Sequence, residues 1–261
     1  MVETSKVVSK VVQEPVVQKI EGDKRNEMFV TVGNSGTILT SSNGTSWTKR
    51  TSGLSESLYG VTYGNGQFVT VGVKGTILTS SDGISWIKRT PGSSKSLYGV
   101  TYGNGLFVTV GESGTILTTS NRTFWTEVNS GTSEVLRGIT YGNGLFVTVG
   151  WNGTILTKSN GISWTKRTPG TSESLYGITY GNGQFVTVGV KGTLLTSSDG
   201  TSWTKRTPGI SESLYGVTYS NGKFVTVGGN GTILTTSDGT SWMTQRTYRN
   251  SYFLNGVTYS Q

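Results

Sequence analysis

Any chemistry in this chain has to come from carboxylates, lysines, arginines, tyrosines and tryptophans, because its 261 residues include neither histidine nor cysteine. Those absences remove imidazole bases, thiolate nucleophiles, disulfides and nearly every transition-metal donor set, so no metal or cofactor is expected. Glycoside hydrolysis by two carboxyl groups needs them on either side of one bond. The acids Glu56, Glu173 and Glu212 instead fill the same Ser-Glu-Ser position in different copies of one motif, spread apart rather than paired. That pattern speaks against an enzyme.

Binding chemistry has more material. The net charge is +8. Residues 1–27 hold five basic side chains (Lys6, Lys10, Lys19, Lys24, Arg25) and five acidic ones (Glu3, Glu14, Glu21, Asp23, Glu27), so the excess lies in the remainder. Much of it is one recurring pair: Lys49-Arg50, Lys88-Arg89, Lys166-Arg167 and Lys205-Arg206, with Gln245-Arg246 as a partial copy. A basic ring could contact phosphates. However, Glu127-Val128 interrupts it, and no aromatics interleave it as a base-stacking platform requires. Lysine and arginine on an outermost strand also guard against edge-to-edge pairing. Edge protection is the better reading, and nucleic acid is not the expected partner.

The elements that position these groups follow from a period. Trp47, Trp86, Trp125, Trp164, Trp203 and Trp242 are spaced 39 residues apart. A repeat of that length with four short strand-like runs marks one blade of a β-propeller. In residues 58–92, LYGVTY (58–63) reads as strand a, FVTV (68–71) as b, TILT (76–79) as c and SWIKRT (85–90) as d. Gly64-Asn65-Gly66 and Ser80-Ser81-Asp82-Gly83 supply tight turns. Strands b and c do not alternate between apolar and polar, which suits burial on both faces. Gly60, Gly99, Gly138, Gly177, Gly216 and Gly256 fall on the innermost strand, where blades converge. Each blade tryptophan, if buried, would remove roughly 150–250 Å² from water.

The expected fold is therefore all-β, a six-bladed propeller of four-stranded antiparallel blades over residues 28–261. Residue 28 enters at strand b, and Leu254–Tyr259 is a strand a with no b after it, so the C-terminal strand is expected to complete the N-terminal blade. Residues 1–27 read as a tail: a linker, or a docking arm for self-association by strand addition. No apolar run of 18 residues exists to span a membrane, and MVETSKVVSK lacks the apolar stretch of a signal peptide, which leaves location open.

The Ser80-x-Asp82-Gly83-x-Ser85-Trp86 stretch resembles the Asp-box, or BNR, repeat of sialidase-type propellers, one residue shorter between Asp and Trp. It recurs at Ser197–Trp203 and Thr236–Trp242, with Asn43 and Asn160 replacing Asp, and departs further at Asn121-Arg122. Together with the preceding Gly75-Thr76-Ile77-Leu78-Thr79, it is similar to propellers of the photosystem II stability and assembly-factor type. The resemblance implies a propeller whose box stabilises a turn through local backbone bonds. A sialidase-like site would need an arginine cluster, a Tyr–Glu nucleophile pair and an acidic proton donor, and no such constellation stands out.

Differences among the copies point to a surface. The a–b and c–d turns hardly change and share one face of the ring. The b–c turns read Asn34-Ser35, Val73-Lys74, Glu112-Ser113, Trp151-Asn152, Val190-Lys191 and Gly229-Asn230, and the d–a connections vary most at Tyr248–Phe253. One uniform and one diversified face suits a binding surface on a rigid scaffold. Its candidate contacts are Trp151, Asn152, Lys74, Glu112, Lys191, Asn230 and Tyr252. Two noncatalytic readings stay open: a protein-interaction scaffold anchored by Trp151 and Tyr252, and a multivalent glycan-binding propeller stacking sugars on aromatic rings.

Overall fold

A computed structural model describes residues 17–19, 28–159, 163–246 and 253–257. The described strands form six four-stranded antiparallel sheets, each a simple meander, the arrangement of a six-bladed β-propeller. The first sheet contains β1 (Val17–Lys19), β2 (Phe29–Val32), β3 (Ile38–Ser41) and β4 (Thr48–Arg50). The second contains β5 (Leu58–Gly64), β6 (Gln67–Gly72), β7 (Ile77–Ser80) and β8 (Ile87–Arg89). Four further blades repeat this plan, with inner strands Leu97–Gly103, Leu136–Gly142, Leu175–Gly181 and Leu214–Ser220.

Strands b and c are buried nearly throughout because each sheet is covered by two neighbours. The core accordingly lies between blades. Val30, Val32 and Ile38 of the first blade pack with Leu58, Phe68 and Leu78 of the second, and the same partnership recurs around the ring. Close approach of the blades explains the inner-strand glycines. A Cβ on Gly60 would stand 2.9 Å from the Tyr98 carbonyl oxygen, and one on Gly103 would run into the Tyr141 ring.

Strand d is short and its first two residues face solvent. Within the Lys-Arg repeat the two residues divide the work. Arg50, Arg89, Arg167 and Arg206 each donate through Nε to a threonine of strand c (Thr40, Thr79, Thr157, Thr196) at 2.8–2.9 Å. Gln245 makes the corresponding bond to Thr235 at 2.8 Å. The arginines tie the outermost strand down, and the lysines leave a charged rim against edge pairing.

The inner strand described in the first sheet is β1, from the segment read as a tail, while the expected closing strand, Leu254–Tyr259, is described only to Val257. Val17, Gln18 and Lys19 pair with Thr31, Val30 and Phe29, and main-chain hydrogen bonds alone let an extended Val-Gln-Lys segment serve there. Residues 254–257 still reach the inner ring, beside the sixth blade, and 258–261 lie outside the described residues. The tryptophans are not uniformly core. Trp125 and Trp164 are 7% and 8% exposed, but Trp47 is 37% exposed.

Candidate functional site

The inner strands enclose a central channel of about 740 Å³, and one mouth opens on the face of the b–c and d–a connections. A β-bulge shapes that mouth. The ladder of the second blade pairs Leu58 with Gly72 and Gly60 with Val71, leaving Tyr59 unpaired between them. The same skip occurs at Tyr98, Arg137, Tyr176 and Tyr215. A bulge re-aims the residue it frees, and these five side chains line the channel. Tyr59 and Tyr98 are 5.4 Å apart between ring centroids, and Tyr176 and Tyr215 are 5.6 Å apart.

Arg137 interrupts this aromatic ring, and among the described residues it is the one charged side chain lining the channel. Its guanidinium carbon lies 4.1 Å from the Tyr98 ring centroid and 5.6 Å from that of Trp151. Such stacking holds a cation by the ring quadrupole, worth about 0.5–2 kcal/mol depending on desolvation. Arg137 Nε is buried and has no hydrogen-bond partner among the described residues. Trp151, 41% exposed, forms the outer wall.

Glu112 flanks the pair. It accepts from the Ser96 N–H through Oε2 and from the Tyr98 hydroxyl through Oε1, both at 3.0 Å. The Ser96 bond is the main cause of a carboxyl pKa below the usual range, with Tyr98 and Arg137 adding to it, so Glu112 stays charged. Burial, then the bond to Glu112, pushes the Tyr98 phenol up to about 12. Tyr98 therefore remains a neutral donor at any physiological pH.

The b–c turns have nearly one backbone and different side chains. Their second residues, Ser35, Lys74, Ser113, Asn152, Lys191 and Asn230, all adopt left-handed φ of 51–54°. Three of the expected contacts converge at the boundary of the third and fourth blades: Glu112, Trp151 and Asn152, whose Nδ2 donates to Glu134 Oε2 at 3.0 Å. Lys74 and Lys191 sit on other blades, opposite Glu56 at 3.9 Å and Glu173 at 3.0 Å, and Asn230 is exposed on the sixth blade. Tyr252 lies outside the described residues. The turn residues alone do not reveal Arg137 and the tyrosine ring. The signal available was the break from Leu-Tyr-Gly to Leu-Arg-Gly at 136–138.

The opposite face is bound by local turn chemistry. Asp82 Oδ1 accepts from the Ile84 and Ser85 N–H groups at 2.8 Å and from Ser80 Oγ at 2.9 Å, and Ser80 Oγ accepts from Gly83 N–H. Trp86 Nε1 donates to the Gly83 carbonyl at 2.9 Å. Asp199 and Asp238 repeat the arrangement, and Asn43 reproduces its backbone bonds through Oδ1. Among the described residues no cluster of acidic groups suited to a metal ion is present.

No protein-family profile matches the chain, and no curated protein matches its sequence. Solved structures share its fold. A structure of YCF48 bound to D1 peptide is 20% identical with a TM-score of 0.70, covering 91% of this chain and 82% of that one. YCF48 from Cyanidioschyzon merolae is 16% identical with a TM-score of 0.69, covering 92% and 87%. The WD40 β-propeller domain of Doa1 is 13% identical with a TM-score of 0.67, covering 90% and 86%. At these identities the likeness establishes a propeller fold alone.

Proposed function

We propose that this chain is a noncatalytic binding propeller that engages a protein partner through the face of the b–c and d–a connections, centred on Arg137 at the channel mouth. The observation that carries this reading is a guanidinium stacked over Tyr98 and near Trp151, the one charged group among the described residues lining the channel. An arginine so oriented has donors suited to an incoming carboxylate. Glu112 beside it keeps the local charge near balance, so a single negative charge fits better than a phosphate dianion. The partner element that matches is an extended acidic or carboxylate-terminated peptide, with Trp151 as a hydrophobic wall. That YCF48, a propeller of the same shape, is seen with a peptide supports the peptide reading.

The tyrosines around the mouth favour one alternative, a glycan stacked on Tyr59, Tyr98, Tyr176, Tyr215 or Trp151. A peptide array and a glycan array, each probed with the wild-type chain, Arg137→Tyr and Trp151→Ala, separate the two. The proposal expects acidic peptides to bind and to weaken at least tenfold in both variants. Selective sugar binding without peptide binding, or peptide binding indifferent to Arg137→Tyr, would overturn it.

A further inference from the structure

Five blades share one buried hydrogen bond that has no counterpart among the described residues of the first. Thr70, Thr109, Thr148, Thr187 and Thr226 of strand b donate their hydroxyls to the carbonyls of Gly60, Gly99, Gly138, Gly177 and Gly216 on strand a, each at 2.8 Å. Their counterpart Thr31 is 3% exposed, and its Oγ1 has no partner among the described residues. A buried hydroxyl left unpaired is destabilising.

The missing acceptor has an address in the chain. Gly256 is the sixth glycine of the series and stands beside Gly216: a Cβ there would lie 3.0 Å from Gly256 Cα, just as one on Gly177 would lie 3.3 Å from Gly216 Cα. The Leu254 N–H donates to the Gly228 carbonyl at 3.1 Å, as the Leu58 N–H donates to Gly33 at 3.0 Å. Residues 254–256 thus enter the inner ring the way strand a of the second blade does. Opposite Thr31, where this path leads, stands Val17, in the register that places Val61 opposite Thr70. Val17 and Val257 are claimants for one position.

We infer that the inner edge of β2 is a strand-binding groove whose cognate occupant is the chain's own C-terminal segment from Leu254, and that Val17–Lys19 is an exchangeable occupant. The C-terminal strand would bring the Gly256 carbonyl to Thr31 and carry the Gly-Val-Thr-Tyr sequence found in the other inner strands. Among the described residues β1 offers three where the other inner strands have seven, and no acceptor for Thr31. Docking of one segment releases the other.

Because the chain has no cysteine, cross-strand pairs report the occupant directly. Residues opposite each other on paired strands are within disulfide reach. The full chain with Thr31→Cys and Val257→Cys is expected to close an intramolecular disulfide at several-fold higher yield than Thr31→Cys with Val17→Cys. Adding Gly256→Val to the second pair, which puts a side chain where the inner strands carry glycine, should raise its yield. A complete 31–17 link beside an absent 31–257 link, or a 31–257 link only between two molecules, would overturn the inference. Thermal unfolding gives an independent reading. With the C-terminal strand docked, Thr31→Val lowers the midpoint by several degrees, as Thr70→Val does. A midpoint unchanged or raised by Thr31→Val would overturn it.

Discussion

The two faces of the ring use the same backbone economy for opposite ends. On the face of the a–b and c–d turns, side chains are consumed in holding the turn: Ser80, Asp82 and Trp86 all bond within their own loop. On the opposite face the turn is held mainly by backbone. Gly72 N–H bonds to Thr76, Val73 N–H to Ser57 and Thr76 N–H to Val73, and four further blades repeat these bonds. No side-chain bond there is common to all the blades, so the side chains can differ from blade to blade. The lesson is that variation collects where main-chain bonds already suffice.

The sharpest way to break this comparison is to alter the backbone of the varied face. Gly114 has φ +70°, and a Cβ there would run into the Thr132 carbonyl oxygen. Gly114→Ala should cost about 3 kcal/mol, the upper range for overpacking against unyielding neighbours. Its neighbour Ser113→Ala should stay within about 0.5 kcal/mol, the usual surface range. Urea unfolding of both variants checks the pair. Equal losses would mean that the varied face is not held by backbone.

On the uniform face the effect moves to the side chain. Asp199→Ala leaves the Thr201 and Ser202 N–H groups without their acceptor. The loss should be about 1 kcal/mol, comparable to removing a helix-capping carboxylate. Asp199→Asn should recover most of it, since Asn43 accepts the same pair of N–H bonds at 2.9 Å in the first blade. Calorimetric midpoints of the two variants decide it.

How much of this was legible in the sequence depends on whether the deciding feature repeats. The blade plan was, because every copy restates the strands, turns and period. The division into two faces was too, since it follows from strand alternation. The bulge was not. Tyr59 reads as one residue of a continuous strand, and only the register around Leu58 and Gly60 shows that it leaves the ladder for the channel. Arg137 was visible as a break in Leu-Tyr-Gly, but its worth depends on Tyr98 and Trp151, which are 39 and 14 positions away in the chain. The pairing of β1 with β2 was not legible either, because the valine pairs between residues 7 and 17 suit an added strand at any sheet edge alike.

Acid should also test the uniform face. Backbone bonds from Ser85 and Ile84 lower the Asp82 pKa from 3.8 to about 2, and Asp199 and Asp238 are lowered further, chiefly by Thr201 and Thr240. A depressed carboxylate stabilises the fold above its unfolded pKa and loses that contribution as pH falls through the folded one. Stability should therefore decline between about pH 4 and pH 2. The triple variant Asp82→Asn, Asp199→Asn, Asp238→Asn should decline less over that window. Thermal midpoints at pH 5 and pH 2.5 test it, and identical slopes would mean that the turns do not depend on ionised carboxylates.

The smallest expected effect sharpens the comparison most. Lys191 Nζ lies 3.0 Å from Glu173 Oε1, but the lysine side chain is 73% exposed. Exposed pairs of this kind contribute about 0.2–1 kcal/mol, and less as salt rises. Lys191→Ala should thus barely move the unfolding curve, and a double-mutant cycle with Glu173→Gln should give a coupling under about 0.5 kcal/mol. A larger coupling would make this ion pair structural and remove it from the surface available for recognition. A small one has a useful consequence. Because the turn keeps its φ of 53° through the Val190, Gly189 and Thr193 backbone bonds, any change in partner binding by Lys191→Ala would report contact at that blade and not loss of fold. The varied face can then be mapped one side chain at a time.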